Sequence, residues 1–444
     1  MFKTIRNAWS IPDLRRKILF TLMIVILFRV GSVIPVPFLN MDALANVMQA
    51  VDENGSLLSY INTLSGGAFS NATIFAMGIT PYINSSIIMQ LLCVAIPPLE
   101  RLSKEGEEGR KKIAAITRYV TVGLGLIQGT AYFFYLKNST DESGVNIAKY
   151  TSGFEMWFAA IVIILCFTAG TALIMWLGEQ INKNGIGNGI SILLFAGIVA
   201  RLPYTVNILK RYWDVSAESS GADTRYFIFV PLWIILFLAV IWFITFMQDA
   251  ERRIPIQYAK RVVGRKMYGG QSTHLPIKVA LGGVMPIIFA SSILSIPSTI
   301  QLFVNPDKDS FWGKFFSAFS TSGWLYAVLY FVLILAFAYF YTTIQYNPIE
   351  MANNLKQNNG TIPGIRPGRP TADFIAKILS RITLIGALFL AVIALFPIIY
   401  SDITSMGGLS MGGTSVIIIV GVALDTAKQL ESQMMMRHYK GFLD

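Results

Sequence analysis

The chain has 444 residues, of which 54% are hydrophobic and only 14% charged, where a soluble domain carries about a quarter charged residues. That balance excludes an ordinary water-soluble globular protein and predicts an integral membrane protein. The net charge of +11 does not call for a nucleic-acid partner, because its distribution follows the retention of Lys and Arg in cytoplasmic loops.

A bilayer crossing takes about 20 mostly apolar residues. Ten such stretches are legible, over 18–34, 72–96, 117–136, 154–177, 190–202, 227–246, 277–297, 325–341, 378–397 and 414–424. The start, MFKTIRNAWSIPDLRRK, is basic like a signal peptide, but no small-x-small cleavage pattern follows, so the first span is expected to be kept. The amino-terminal arm, every second loop and the carboxyl tail hold 25 of the 36 Lys and Arg, against 8 in the alternate loops. Both termini are therefore expected on the cytoplasmic side. The loop with Lys210, Arg211 and Arg225 runs against the trend, with Asp214, Glu218 and Asp223 beside them. Arg29 is the one charge well inside a span, close enough to the outer end to snorkel or to pair. Cys93 and Cys166 lie in or beside apolar spans without metal spacing and read as packing residues.

Ahead of the second span, LLSYINTL over 57–64 has a helix-like pattern too short to cross, and it ends at Ser65, Gly66 and Gly67. Hinged on the glycines, it could fold back and cap a cavity; the plainer alternative is a helix on the outer surface. The second span opens on glycine, breaks at GITP and carries Asn84, Ser85 and Ser86 where a lipid-facing helix prefers Leu. The seventh span repeats this pattern: GITPYINSSII over 78–88 aligns with GVMPIIFASSI over 283–293. The fifth and tenth spans rhyme as well, each short and each entered through glycine and a hydroxyl. A repeat with an odd number of spans must face opposite ways in its two copies. The fold class predicted is an all-α integral membrane protein, its ten helices in two inverted five-helix halves, 1–205 and 226–444, joined by an external connection over 206–225.

Short or Gly/Pro-broken spans at matching positions point to the repeat interface as the functional site. A solute transporter would show ionisable residues at mid-membrane depth, and these spans have none. They supply aliphatics instead: Ile79 and Ile83, and likewise Ile190 and Leu194, are four apart and share a helix face. Ile288 occupies the place of Ile83 in the second half, and Ile418 follows the second glycine entry. If these meet, they form an apolar constriction that closes a pore to water and ions; the alternative is ordinary core packing. Basic residues concentrate in two cytoplasmic loops, 248–276 and 345–377, as Arg252, Arg253, Lys260, Arg261, Arg265, Lys266, Lys356, Arg366 and Arg369. With no phosphate-binding loop in the sequence, any driving force is expected from a partner docked there.

Four stretches carry a resemblance: SGGAFSNATIFAMGITPYINSSI (65–87), WLGEQINKNGIGNGIS (176–191), YAKRVVGRKMYGGQSTHLPIKV (258–279) and IPGIRPGRPT (362–371). With them the chain resembles the SecY/Sec61-alpha family of translocase pore subunits, essentially from first span to last. The resemblance implies a central hourglass pore that translocates unfolded polypeptides across the bacterial plasma membrane and releases hydrophobic segments sideways into the bilayer. It implies a pore ring of Ile79, Ile83, Ile190, Leu194, Ile288 and Ile418, with Leu194 departing from the usual isoleucine. A plug over 57–69 would include Leu57, Leu58, Tyr60, Ile61, Leu64, Ser65, Gly66, Gly67 and Phe69. A lateral gate would set Ser85, Ser86 and Ile87 against Ser291, Ser292 and Ile293, with Gln128 nearby. The implied partners are SecE and SecG in the membrane, the SecA motor ATPase, the translating ribosome, signal peptides, unfolded preproteins and the lipid bilayer. Arg366 would be the most sensitive docking contact. No catalytic residue, cofactor or metal is expected; the competing reading is a secondary solute transporter built from inverted repeats.

Overall fold

The structure is a computed structural model that describes residues 2–53, 62–63, 65–139, 144–150, 152–218, 225–258, 261–263, 266–268, 272–304, 310, 324–404, 406 and 413–440. The chain begins with α1 (Phe2–Ser10) and α2 (Pro12–Gly31), followed by α3 (Met41–Glu53). Next come α4 (Thr80–Ala95), α5 (Pro97–Lys104), α6 (Glu107–Asn138), α7 (Gly153–Asn184), α8 (Gly189–Ala200), α9 (Leu202–Glu218) and α10 (Tyr226–Asp249). A β segment of β1 (Glu251–Tyr258), β2 (Arg261–Val263), β3 (Lys266–Tyr268) and β4 (Ser272–Lys278) precedes α11 (Met285–Val304). Then follow α12 (Trp324–Gln345), α13 (Pro348–Gln357), β5 (Gly360–Thr361), α14 (Arg369–Thr404) and α15 (Gly413–Lys440).

Among the described residues, seven helices are long and apolar enough to cross a membrane, α8 with α9 and α12 with α13 each counting as one. α4 and α5 pass the same test together but are bent by 103° at their junction. The bend has a local cause. Pro97 forces Ile96 before it out of the helical region, and it sits at φ −112°, ψ 111°. α2 falls outside the seven because Arg15, Arg16 and Lys17 crowd its start, yet Leu19, Leu22, Met23, Ile26 and Leu27 are exposed along it. α10 likewise exposes Ile228, Ile235, Leu238, Trp242 and Phe246. Apolar surface on this scale faces lipid rather than water.

The chain packs as two compact units. The first comprises Met1–Pro231, Leu294–Tyr326 and Pro397–Asp444. Its main core joins α3, the turns over 65–79, α6 and α7 around Leu44, Phe69, Tyr132, Leu136, Ile163 and Phe167. Along α6, Gly125 and Gly129 lie against Thr171 and Phe167 of α7, the small-residue contact by which membrane helices approach closely. Farther along the unit α15 packs on α8 and α1, where Ala8, Leu14, Ile186 and Leu430 form a small cluster.

The second unit comprises Leu232–Ile293 and Ala327–Phe396. Here Phe289 of α11 meets Phe337 and Tyr341 of α12 edge to face, and Phe243 of α10 meets Phe389 of α14. Among the described residues a three-stranded antiparallel sheet runs in the order β4-β1-β5, with Ile254 opposite Leu275 and Tyr258 opposite Gly360. Ile254, Ile277, Leu281, Ile362, Ile375, Leu379 and Ile382 are buried beneath it.

Several expectations change. The second span does not begin at residue 72: residues 65–79 are turns, and the helix starts at Thr80, because Gly78 at φ +56° and Pro81 in the first turn set its entry. Ile277 belongs to β4, so the seventh span starts at Met285. The fifth span is short only as α8, since α9 extends it to 29 residues, and α15 runs 28 residues rather than stopping at Leu424. Most of the expected 206–225 connection is helical, through Glu218. Described residues of both basic loops, 248–276 and 345–377, contribute strands to one sheet.

Candidate functional site

Six aliphatics were expected to share one constriction. Ile79 is buried and caps α4, accepting from the Ile83 N–H at 3.1 Å. The four-residue spacing of this pair therefore survives even though Ile79 precedes the helix. Ile83 itself is half-buried. On α8, the Asn188 side chain caps the first turn by accepting from the N–H groups of Ile190 and Ser191 at 3.1 and 3.3 Å. Asn182 Oδ1 accepts from Gly189 N at 2.7 Å. A Cβ on Gly189 would lie 2.0 Å from the Gly178 carbonyl oxygen, so α8 meets α7 backbone to backbone. That contact fixes the start of α8, with Ile190 half-buried and Leu194 buried. Ile418 is buried on α15, which packs on α8. These five share the first unit. Ile288 belongs to the second, half-buried in the first turn of α11, with its N–H on the Val284 carbonyl at 3.2 Å.

Hydroxyls of the second span have specific partners. Ser85 Oγ donates to the Thr117 carbonyl at 2.7 Å, and Thr121 Oγ1 donates to the same oxygen at 2.7 Å. Ser85 thus staples α4 to α6. Ser86 accepts from Gln90 Nε2 at 3.3 Å, Ile87 is buried, and Gln128 of α6 is half-buried. On α11, Ser291 Oγ donates back to the Ile288 carbonyl at 3.0 Å, Ser292 is half-buried and Ile293 is exposed. Sequence reasoning missed Thr117, Asn188 and the Arg118–Glu179 pair, 2.6 Å apart between α6 and α7. For Asn188 the signal was present, as an N-cap residue type just before an apolar run.

Of the residues expected to form a plug, Leu57, Leu58, Tyr60, Ile61 and Leu64 lie outside the described residues. Ser65, Gly66 and Phe69 are buried and Gly67 half-buried in one run of turns. Phe69 N–H donates to Ser65 Oγ at 3.1 Å, Gly67 N–H to the Asn62 carbonyl at 2.9 Å, and Ser70 N–H to Asn62 Oδ1 at 3.0 Å. Tyr132 of α6 donates its hydroxyl to the Phe69 carbonyl at 2.6 Å, with the two rings 4.2 Å apart. Arg29 of α2 donates through Nη1 to the Gly66 carbonyl at 3.2 Å.

On the basic loops, Arg252, Arg253, Lys356, Arg366 and Arg369 are exposed. Arg253 Nε meets Glu251 at 2.6 Å. The turn holding Arg366 is closed by Thr371 Oγ1 donating to the Arg366 carbonyl at 2.9 Å. The backbones of Arg261 and Lys266 sit in β2 and β3, while Lys260 and Arg265 lie outside the described residues. Strand β5 joins one loop to the other, and Thr361 Oγ1 donates to the Gln257 carbonyl at 3.3 Å.

The SecY family model matches residues 73–427. A protein translocase subunit SecY of Streptomyces coelicolor is 43% identical over 449 residues, covering 100% of both chains. One from Halalkalibacterium halodurans is 44% identical over 457 residues with the same coverage. Among solved structures, one described as a protein conducting channel aligns with TM-score 0.64 at 16% identity, covering 95% of this chain and 92% of that one. A second, described as showing that the SecY plug domain stabilises the closed channel and maintains a membrane seal, aligns with TM-score 0.61 at 16% identity over 95% and 92%. A third, Sec61 in a canine ribosome-channel complex, gives TM-score 0.59 at 15% identity over 95% and 92%. The chain has the fold of these channel structures, which have ten transmembrane helices, and identity of 43–44% to the SecY subunits over the whole length makes it more than a structural likeness. It belongs to the SecY family, the multi-pass membrane subunits that form a protein-conducting channel and are not enzymes.

Proposed function

We propose that Ile79, Ile83, Ile190, Leu194, Ile288 and Ile418 form the ring that closes this translocation channel. Unfolded polypeptide passes through it across a bacterial plasma membrane, with both termini of the chain cytoplasmic. The supporting observation is that the helices bearing these side chains contain no Asp, Glu, Lys, Arg or His over 79–94, 189–200, 285–304 or 413–424, and that the Asn188 side chain caps the entry of α8. An ion entering an apolar ring loses hydration worth several kcal/mol even after relaxation, whereas flexible aliphatics can part around an unfolded chain.

Residues 57–69 serve as the plug. Ser86 and Ile87 on α4, and Ser291, Ser292 and Ile293 on α11, border a lateral exit with Gln128 close by and Ser85 anchoring α4. A guest helix reaching that exit partitions by its summed transfer energy. Ten leucines favour lipid by roughly 3–6 kcal/mol, and one central Lys or Asp opposes it by about 2.5–3.5 kcal/mol. Driving force comes from a partner on the cytoplasmic loops, a SecA-type motor or the ribosome, with SecE and SecG as membrane companions. Joining of the two loops through β5 supports their acting as one platform.

The deciding experiment changes Ile83 and Ile288 to Asn together. Resting ion leak through reconstituted channels should rise, and an unchanged conductance would remove the ring. In a second assay, complete disulfide crosslinking of Ser86→Cys to Ser292→Cys should block secretion; undiminished export would remove the lateral exit.

A further inference from the structure

We infer that Arg29 is a positioning residue for the seal: it clamps the base of the plug to the first span and, through Gly66, against the ring-bearing helix α8. This rests on reading 57–69 as the plug.

A guanidinium inside a membrane span is retained only where it finds partners. Arg29 finds one in the Gly66 carbonyl, 3.2 Å from Nη1. The residue type at 66 follows from the same contact. Gly66 sits at φ +69°, a conformation that side chains disfavour. A Cβ there would lie 2.9 Å from Arg29 Nη1 and also 2.9 Å from the Gly197 carbonyl oxygen of α8. Gly66 is thus wedged between Arg29 and the backbone of α8, three residues beyond Leu194. Next to it, a Cβ on Gly67 would lie 3.7 Å from Arg201 Nη1, and the Arg201 guanidinium stacks 4.3 Å over Tyr204. The glycine pair is therefore packed at the turn on which the plug segment would hinge.

The rest of the segment is held as firmly. Val36 N–H donates to the Ala72 carbonyl and Ile74 N–H to the Ile34 carbonyl, each at 3.0 Å, tying the segment to the chain that follows α2. Ala72 is kept at φ +38° between these bonds, a strained conformation that persists only where its surroundings over-determine it. From this anchor the chain runs directly through Gly78 into Ile79 and Ile83. One block of turns therefore sets the spacing between the plug base, the ring residues of α4 and those of α8, and Arg29 is the charged clamp on that block.

The test is resting ion conductance of the full chain, with its accompanying membrane subunits, reconstituted in planar bilayers without preprotein. Folding is checked by monodispersity in detergent. Arg29→Met should raise resting conductance by about tenfold, the equivalent of losing one hydrogen bond from a charged donor. Arg29→Lys should restore part of the seal, and Tyr132→Phe, which removes only the hydroxyl on Phe69, should leak less than Arg29→Met. Deletion of 57–61 serves as the separate test of the plug. If that deletion leaks while folded Arg29→Met matches the parent, the clamp is overturned and the plug stands. If neither leaks, the plug reading fails and takes the clamp with it. Should Arg29→Met not assemble, Tyr132→Phe and Gly66→Ala decide, and parental conductance in both overturns the proposal.

Discussion

The Thr117 carbonyl accepts two hydroxyls, from Ser85 across the helix pair and from Thr121 one turn on. Such a serine is tolerated in a span because its partner is another helix rather than lipid. Ser85→Ala should therefore lower stability by about 1 kcal/mol, read as an earlier thermal transition in detergent, with channel conductance unchanged. No shift would mean that the hydroxyl contributes nothing to the α4–α6 contact. Gly189 presents a harsher case. Its missing Cβ would lie 2.0 Å from the carbonyl oxygen of Gly178, which belongs to backbone and cannot swing aside. Gly189→Ala should cost about 1–3 kcal/mol or more and displace α8 with its ring residues, so it should both destabilise and leak. A leak-free Gly189→Ala would show that the ring does not depend on the seating of α8.

At the scale of elements, apolar length was readable and secondary structure at the span ends was not. The run of turns over 65–79 is as apolar as a helix, and only Gly66, Gly67, Gly78 and Pro81 mark where helix is refused. The 206–225 stretch read as a loop because charges break its hydropathy. Yet Thr205, Ile208, Leu209 and Ser216 are buried at i, i+3, i+4 and i+11, one face of the α9 helix. Beneath the basic loops, the period-two alternation of Ile254 and Ile256 was present but is interrupted by Pro255, which argues against a central strand. The structure resolves the conflict: β5 pairs only with Gln257 and Tyr258, so β1 is an edge at Pro255 on that side. Because the sheet couples both loops over one core, Ile254→Ala should cost about 2–5 kcal/mol. Hydrogen exchange should then rise together in 272–278 and 360–361. Faster exchange confined to 272–278 would mean that the two loops are independent.

For the molecule as a whole, the charge pattern was the most legible property, because it is a sum over loops and needs no knowledge of packing. The proposed ring residues were reached from matching positions of the two repeats, and motif likeness then added the lateral-gate residues and the extent of the plug. Contacts such as Arg29 to Gly66 and Ser85 to Thr117 join residues 37 and 32 positions apart, and no local pattern announces them. The proposed orientation can be tested on the same footing. With 25 Lys and Arg in one set of loops and 8 in the other, reversing the chain would carry the larger set across the membrane, which the retention of basic loops opposes. Asn71, exposed on the turns after α3, should lie outside, and Lys356, exposed on α13, should lie inside. In a background with Cys93 and Cys166 replaced, Asn71→Cys should react with an impermeant maleimide only in right-side-out vesicles, and Lys356→Cys only in inverted ones. Labelling of both from one side would break the odd-span inversion itself, since these positions are separated by an odd number of the ten crossings.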